Sequence, residues 1–119
     1  MKIAITAQDN TSESAIDKRF GRAQTIAVYD TDSRQYAFYP NTQNLQATQG
    51  AGIQAAGNVV NLGCTTLLTG HCGPKAFVVL QKSGVQVYTV NSQNVAGAVQ
   101  DFLAGRFTAL TSPDVEGHW

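Results

Sequence analysis

A chain of 119 residues that is 43% hydrophobic is long enough to bury one core, and nothing in its composition marks a second. Eight lysines and arginines balance eight aspartates and glutamates, which excludes an overall field that would draw in nucleic acid or a membrane surface and leaves any electrostatic function local. No apolar stretch approaches the roughly 20 residues of a membrane span, and Met1-Lys2-Ile3-Ala4-Ile5 is too short for a signal-peptide core, so a cytoplasmic address is expected.

Residues 2–6 have the length and composition of a first strand, and the polar stretch 7–18 is expected to be a long loop. Two further strands, 25–29 and 35–39, flank Asp30-Thr31-Asp32-Ser33; these turn formers predict an antiparallel hairpin, which Pro40 stops. Residues 41–49 are polar and aperiodic, and no charged residue occurs between Arg34 and Lys75. From Gly50, Ile53, Ala56 and Val60 together with Ala55, Val59 and Leu62 follow helical spacing up to Gly63, a suitable left-handed cap. Residues 65–69 read as a short buried strand. Pro74 suits the first turn of a helix through Lys82 that Ser83-Gly84 closes. A last strand over 85–90 precedes a last helix with the core stripe Val95, Ala98, Val99, Phe102 and Leu103, capped by Gly105. Residues 108–119 have no periodicity and are expected to form a mobile tail behind a single domain spanning 1–107. Three strands followed by alternating helices and strands describe an α/β domain with a mixed sheet and helices on its faces.

In such sheets ligands gather outside the carboxyl ends of the parallel strands, which here exposes the loops after Thr6, after Thr69 and after Val90. The middle loop, Gly70-His71-Cys72-Gly73-Pro74, has glycines that permit close backbone approach, and it opens a helix whose amino end favours anions, with Lys75 in its first turn. The first loop ends in Lys18-Arg19-Phe20-Gly21-Arg22, so three cations arrive together at one end of the sheet. A small anion is the expected ligand. The structural alternatives stand beside it: glycines that only make a turn, Arg19 and Arg22 as solvated charges packed against Phe20, and His118 as a solvated terminal residue.

The cysteines, Cys64 and Cys72, flank the strand at 65–69, which holds their backbones more than ~15 Å apart and excludes a disulfide between them. Cys64 reads as a small buried hydrophobe. Cys72 lies near a helix amino end, where a thiolate is favoured as a nucleophile or a soft-metal ligand, and His71 beside it could ligate or titrate. The pair lacks the four-ligand spacing of structural zinc. Catalysis is poorly supported, because the eight carboxylates avoid the inner strands where a two-metal nuclease would need them. A cysteine hydrolase would pair Cys72 with a separate histidine, and the chain has only His71 and His118.

The ordered motifs Phe20-Gly21-Arg22-Ala23, Gly50-Ala51-Gly52-Ile53-Gln54-Ala55-Ala56 and Gly70-His71-Cys72-Gly73-Pro74-Lys75-Ala76-Phe77 resemble the dinitrogenase iron-molybdenum cofactor biosynthesis family, over Met1 to about Phe107. Within it the chain looks most like the orange proteins of sulfate-reducing bacteria, stand-alone short domains that carry a noncovalent molybdenum-copper sulfide cluster. The resemblance implies a ribonuclease H-like three-layer fold, a mixed five-stranded sheet flanked by helices, without nuclease carboxylates. It also implies non-enzymatic carriage or scaffolding of an anionic molybdenum-containing sulfide cluster, molybdenum-copper or iron-molybdenum, with cluster donor or acceptor proteins as partners. The binding residues expected are Arg19, Phe20, Gly21, Arg22, Gly70, His71, Cys72, Gly73, Pro74 and Lys75, with Cys72 and His71 as candidate metal contacts. Arg19 stands where many relatives have histidine, which favours electrostatic holding over direct ligation, and many relatives lack a cysteine in the 70–73 loop. The competing readings are a module for a small phosphorylated ligand at the same glycine loop, and an enzyme using Cys72 as a redox or transfer nucleophile.

Overall fold

The structure, a computed structural model, describes residues 1–43 and 50–113. Most of the aperiodic stretch at 41–49 and the end of the expected tail, with His118, lie outside the described residues. Strand β1 (Lys2–Ala7) is buried at every position after Lys2, because it is the central strand of a sheet covered on both faces. β2 (Thr25–Asp30) pairs antiparallel with β1, and β3 (Gln35–Pro40) antiparallel with β2; β4 (Thr66–Thr69) and β5 (Gln86–Thr89) continue the other side in parallel. The five-stranded order is β3-β2-β1-β4-β5. The expected hairpin is present in register, Thr25 opposite Pro40 and Asp30 opposite Gln35. Its turn is held by the Asp30 carboxylate, which accepts from Asp32 N at 2.9 Å, and Arg34 takes the left-handed conformation at φ 60°. Pro40 is the last residue of β3, an edge strand, where a missing N–H costs least.

Strand alternation splits the core in two. Ala4, Ile26, Val28, Leu67 and Val87 face helices α1 (Ala51–Asn61) and α2 (Pro74–Lys82), through Ala55, Ala56, Val59, Ala76, Phe77 and Leu80. Ile3, Ile5, Ala7, Ala27 and Leu68 face α3 (Val95–Leu103), through Val95, Ala98 and Val99. The result is the expected mixed sheet with helices on both faces. The glycine stops are as anticipated: Gly63, Gly84 and Gly105 all have φ between 75° and 79°, where a side chain would be strained. No described helix is long and apolar enough to cross a membrane.

Three details depart from expectation. The loop after β1 is not a free excursion: Ile16 bridges Ala7, Ala15 bridges Asn94, and Asp17 N donates to Thr6 O at 3.0 Å. Alternating polar residues gave no periodicity from which that return could be read. Leu103 belongs to the expected core stripe by spacing but is 54% exposed, because the helix ends there and turns its last residue outward. Beyond Thr108 the chain is paired: Ala109 bridges Tyr88, and Leu110 N donates to Val87 O at 2.8 Å, covering the outer edge of β5.

Candidate functional site

All three helices begin at the sheet edge where β1, β4 and β5 end, and the loops leaving those strands meet there. Beneath them lies a buried hydroxyl pair, Thr6 Oγ1 and Thr69 Oγ1, 2.8 Å apart. Thr6 spends its proton on Asp17 O at 2.7 Å, so the Thr69 hydroxyl donates within the pair. Thr6 also accepts from Asp17 N, and this double link draws the following residue, Lys18, onto Gly70. A Cβ on Gly70 would lie 2.6 Å from both Lys18 Cα and Lys18 O. Glycine is therefore required here for the approach of protein backbone, before any ligand is considered. Beyond this contact the two segments run side by side: Arg19 bridges His71 in parallel, and Phe20 N donates to His71 O at 3.3 Å. The structure thus joins the two halves of the site expected from sequence, 19–22 and 70–75, through their backbones.

The side chains then sort by environment. Phe20 and Gly21 are buried in a 3-10 turn (Phe20–Arg22), with Phe20 in the core beneath α1 and α2. Gly21 O accepts from Gln43 Nε2, Asn41 Nδ2 donates to Ala23 O at 2.9 Å, and Asn58 of α1 reaches Asn41 Oδ1 at 2.8 Å. This amide lattice fixes the turn against α1 without any charge. Lys18, Arg19, Arg22 and Lys75 remain exposed, and the ion pairs among the described residues, Met1 with Asp32 and Asp101 with Arg106, involve none of these four. Cys72 is fully enclosed, its Sγ 3.8 Å from Gly73 O and packed in the core beneath the loop. A ligand lying on the loop meets backbone there, not the thiol. His71 is half-buried. Cys64 is also buried, which pushes its thiol up to about 11, and neither cysteine forms a disulfide. No group of three or more His, Cys, Asp or Glu side chains suited to hold a metal ion occurs among the described residues.

The helix amino ends differ in a way that composition alone conceals. α3 is capped internally: Val95 N donates to Ser14 O at 3.0 Å, Ala96 N to Ser12 O at 2.9 Å, and Gly97 N to Asn94 Oδ1 at 2.8 Å. α1 and α2 start on Gly50 and Gly73, no side chain caps either, and neither has an acidic residue in its first turn. Their positive ends face the edge where these exposed cations lie. Gly73 itself sits at φ −74°, an ordinary conformation, and Pro74 occupies the first helical position as expected.

On the α3 side the loops enclose a groove of about 510 Å³. Gln8, Ala15, Ile16 and Lys18 form one wall, Gly70 and His71 another, and Val90, Asn91, Ser92 and Gln93 the third. These are the three loops anticipated after Thr6, Thr69 and Val90, yet of the expected binding residues only Gly70 and His71 line the groove. Gln8, Asn91, Ser92 and Gln93 carry no motif; their position just beyond a strand end was the sole signal that could have found them.

A family model described as "Dinitrogenase iron-molybdenum cofactor" matches residues 1–105. The apo form of the orange protein from Desulfovibrio gigas superposes with a TM-score of 0.89 at 36% identity, covering 96% of each chain. A Thermotoga structure described as a putative NifB protein superposes with a TM-score of 0.81 at 28% identity, covering 98% of each chain. An uncharacterized protein of Methanocaldococcus jannaschii is 24% identical over 108 residues, 89% of this chain and 88% of its own length.

Proposed function

Because the chain belongs to the dinitrogenase iron-molybdenum cofactor family, we propose that it binds and carries an anionic molybdenum-containing sulfide cluster, without catalysis, on the surface formed by residues 19–22 and 70–75. Membership associates the chain with the binding or carriage of a cofactor in dinitrogenase iron-molybdenum cofactor biosynthesis; the molybdenum-copper sulfide and its iron-molybdenum alternative are our finer reading. In the same reading the sheet order is that of a ribonuclease H-like fold, residues 1–107 form the binding domain, and the protein works in the cytoplasm, receiving its cargo from one protein and passing it to another.

The observation that carries the proposal is the backbone pairing of Phe20 with His71, which brings Arg19 and Arg22, exposed and without an acidic partner among the described residues, beside the loop that opens uncapped α2 and carries Lys75. An anionic cargo suits that surface on charge alone. The enclosure of Cys72 favours holding by cations and backbone N–H groups over a thiolate bond, with His71 at the margin as the more accessible contact. Reconstitution with thiomolybdate and copper should give a coloured protein with stoichiometric molybdenum; a colourless, metal-free product from that mixture would contradict the proposal. Arg22→Ala should lose cargo faster than wild type on gel filtration at low salt. The gap should narrow as ionic strength reaches about 0.5 M, where screening removes what the guanidinium supplies.

A further inference from the structure

The groove on the α3 side adjoins the surface proposed for the cluster: the two share Gly70 and His71, while Arg19, Arg22, Lys75 and Cys72 take no part in its lining. Three features mark it as built. Each wall is pinned by its own side-chain bonds. The first is held by Thr6 on Asp17 O at 2.7 Å and by Ser14 Oγ, which accepts from Asp9 N at 2.8 Å. The second is held by Thr69 on Thr6 at 2.8 Å and by the contact of Gly70 with Lys18. The third is held by Ser92 Oγ, which donates to Asp101 Oδ2 at 2.8 Å while Arg106 grips the other carboxylate oxygen at 2.7 Å. Second, among the described residues the lining contains no carboxylate, although six of the chain's eight lie within them. Of the two carboxylates adjacent in sequence to lining residues, Asp9 and Asp17, Asp17 has Oδ1 committed to Arg19 N at 3.0 Å. Third, the lining combines one ammonium, Lys18, with the amides of Gln8, Asn91 and Gln93 over an apolar floor of Ile16 and Val90. At about 510 Å³ the groove matches the size of pre-formed small-molecule pockets, ~300–1,000 Å³, and far exceeds a lone ion.

We infer that this groove is a separate binding site for a small organic molecule bearing an oxyanion, carboxylate or phosphate, with Lys18 receiving the charge and the amides receiving a hydrogen-bonding body. Lys18 suits the role because its backbone is clamped on Gly70 while its side chain stays exposed and, among the described residues, has no acidic partner. Ligand binding therefore orders only the side chain, not the loop. The inference does not depend on the cluster reading, since Lys18 and the amides of Gln8, Asn91 and Gln93 have no part in that reading and no metal is used.

The test is an amide-resolved NMR titration of the whole chain with citrate, glucose 6-phosphate and inorganic phosphate. Citrate or glucose 6-phosphate should shift the amides of residues 8, 18, 70 and 91–93 with saturation below about 10 mM, and whichever of the two binds assigns the headgroup. Lys18→Gln keeps the stem that packs on Gly70, so the fold should persist while affinity falls about tenfold or more, the loss expected for a charge-assisted hydrogen bond. Lys82→Gln, at the far end of α2, should leave affinity unchanged. No saturable shift with either organic anion would overturn the inference. So would shifts that Lys18→Gln leaves intact, equal weakening by Lys82→Gln, or inorganic phosphate binding as tightly as the organic anions.

Discussion

Replacing Gly70 with alanine tests whether the contact between the two site segments is structural. The added methyl would stand 2.6 Å from Lys18 Cα and O and 2.8 Å from Lys18 Cβ. Ordinary carbon contacts lie at about 3.5–4.0 Å, so segment 17–20 must retreat by roughly 1 Å. Backbone cannot rotate away as a side-chain tip could. The retreat strains three bonds: Asp17 N to Thr6 O at 3.0 Å, Thr6 Oγ1 to Asp17 O at 2.7 Å, and Phe20 N to His71 O at 3.3 Å. Overpacking costs about 1–3 kcal/mol, and weakening one or two of these bonds adds about 1 kcal/mol each. We expect a loss of about 2–4 kcal/mol, a large share of the ~5–15 kcal/mol a domain of this size holds, and a Tm lower by about 10 °C. Gly57→Ala is the matched control: it lies within α1, a Cβ there meets nothing within 4 Å, and it should gain about 0.5–1 kcal/mol from helix propensity. Urea unfolding of the two variants beside wild type measures both. A Gly70→Ala protein within about 0.5 kcal/mol of wild type would refute the argument that the glycine exists for Lys18.

Asn94→Ala removes the side-chain cap on α3 and should cost about 1 kcal/mol in urea unfolding, with Asn94→Asp close to neutral. The Ser92 hydroxyl and then Arg106 hold the Asp101 carboxyl below its usual range, so its contribution to stability is present at neutral pH and is lost as pH falls below about 4. Asp101→Asn should flatten that acid limb, as read by unfolding at a series of pH values. Burial raises the Cys64 thiol to about 11, so wild type should lose stability as pH climbs from about 8.5 toward that value, and Cys64→Ala should lose less over the same interval. With both thiols enclosed, Cys64 and Cys72 should resist a thiol reagent at pH 8 in the native protein and react together once it is unfolded.

The elements were legible because their signals are local. The spacing of Ala55, Ala56 and Val59, the Pro74 start and the Gly63, Gly84 and Gly105 stops each act within one helix, and all reappear in the structure. The convergence of the loops was legible by topology: knowing which strands run parallel suffices to name them. What stayed hidden depends on contacts far apart in sequence. Gly70 looked like a residue for a ligand because nothing in the string shows that Lys18 lies against it, 52 positions earlier by their numbers. The cap that residues 12–14 supply to α3 and the return of residues 15–16 to β1 are hidden for the same reason. Cys72 drew notice by chemistry, but its orientation is set by core packing, which spacing in a loop does not encode.

The two ends of the sheet are built differently, and this separates how each can change. The loops around Lys18 and Gly70 are tied by backbone contact and a shared hydroxyl pair, and the 90–95 segment joins them through Val90 N on Thr69 O and Val95 N on Ser14 O, so an insertion in any of them propagates to its neighbours. At the opposite end, the Asp30–Arg34 reversal closes on Asp30 and on Met1, and the tight stops at Gly63 and Gly84 close within their own helix ends, none of them touching the loops around Lys18 and Gly70. A probe or affinity handle placed between Asp32 and Ser33 should therefore be silent at the working edge. A longer turn between Asp32 and Ser33 would likewise leave the contact of Lys18 with Gly70 unchanged.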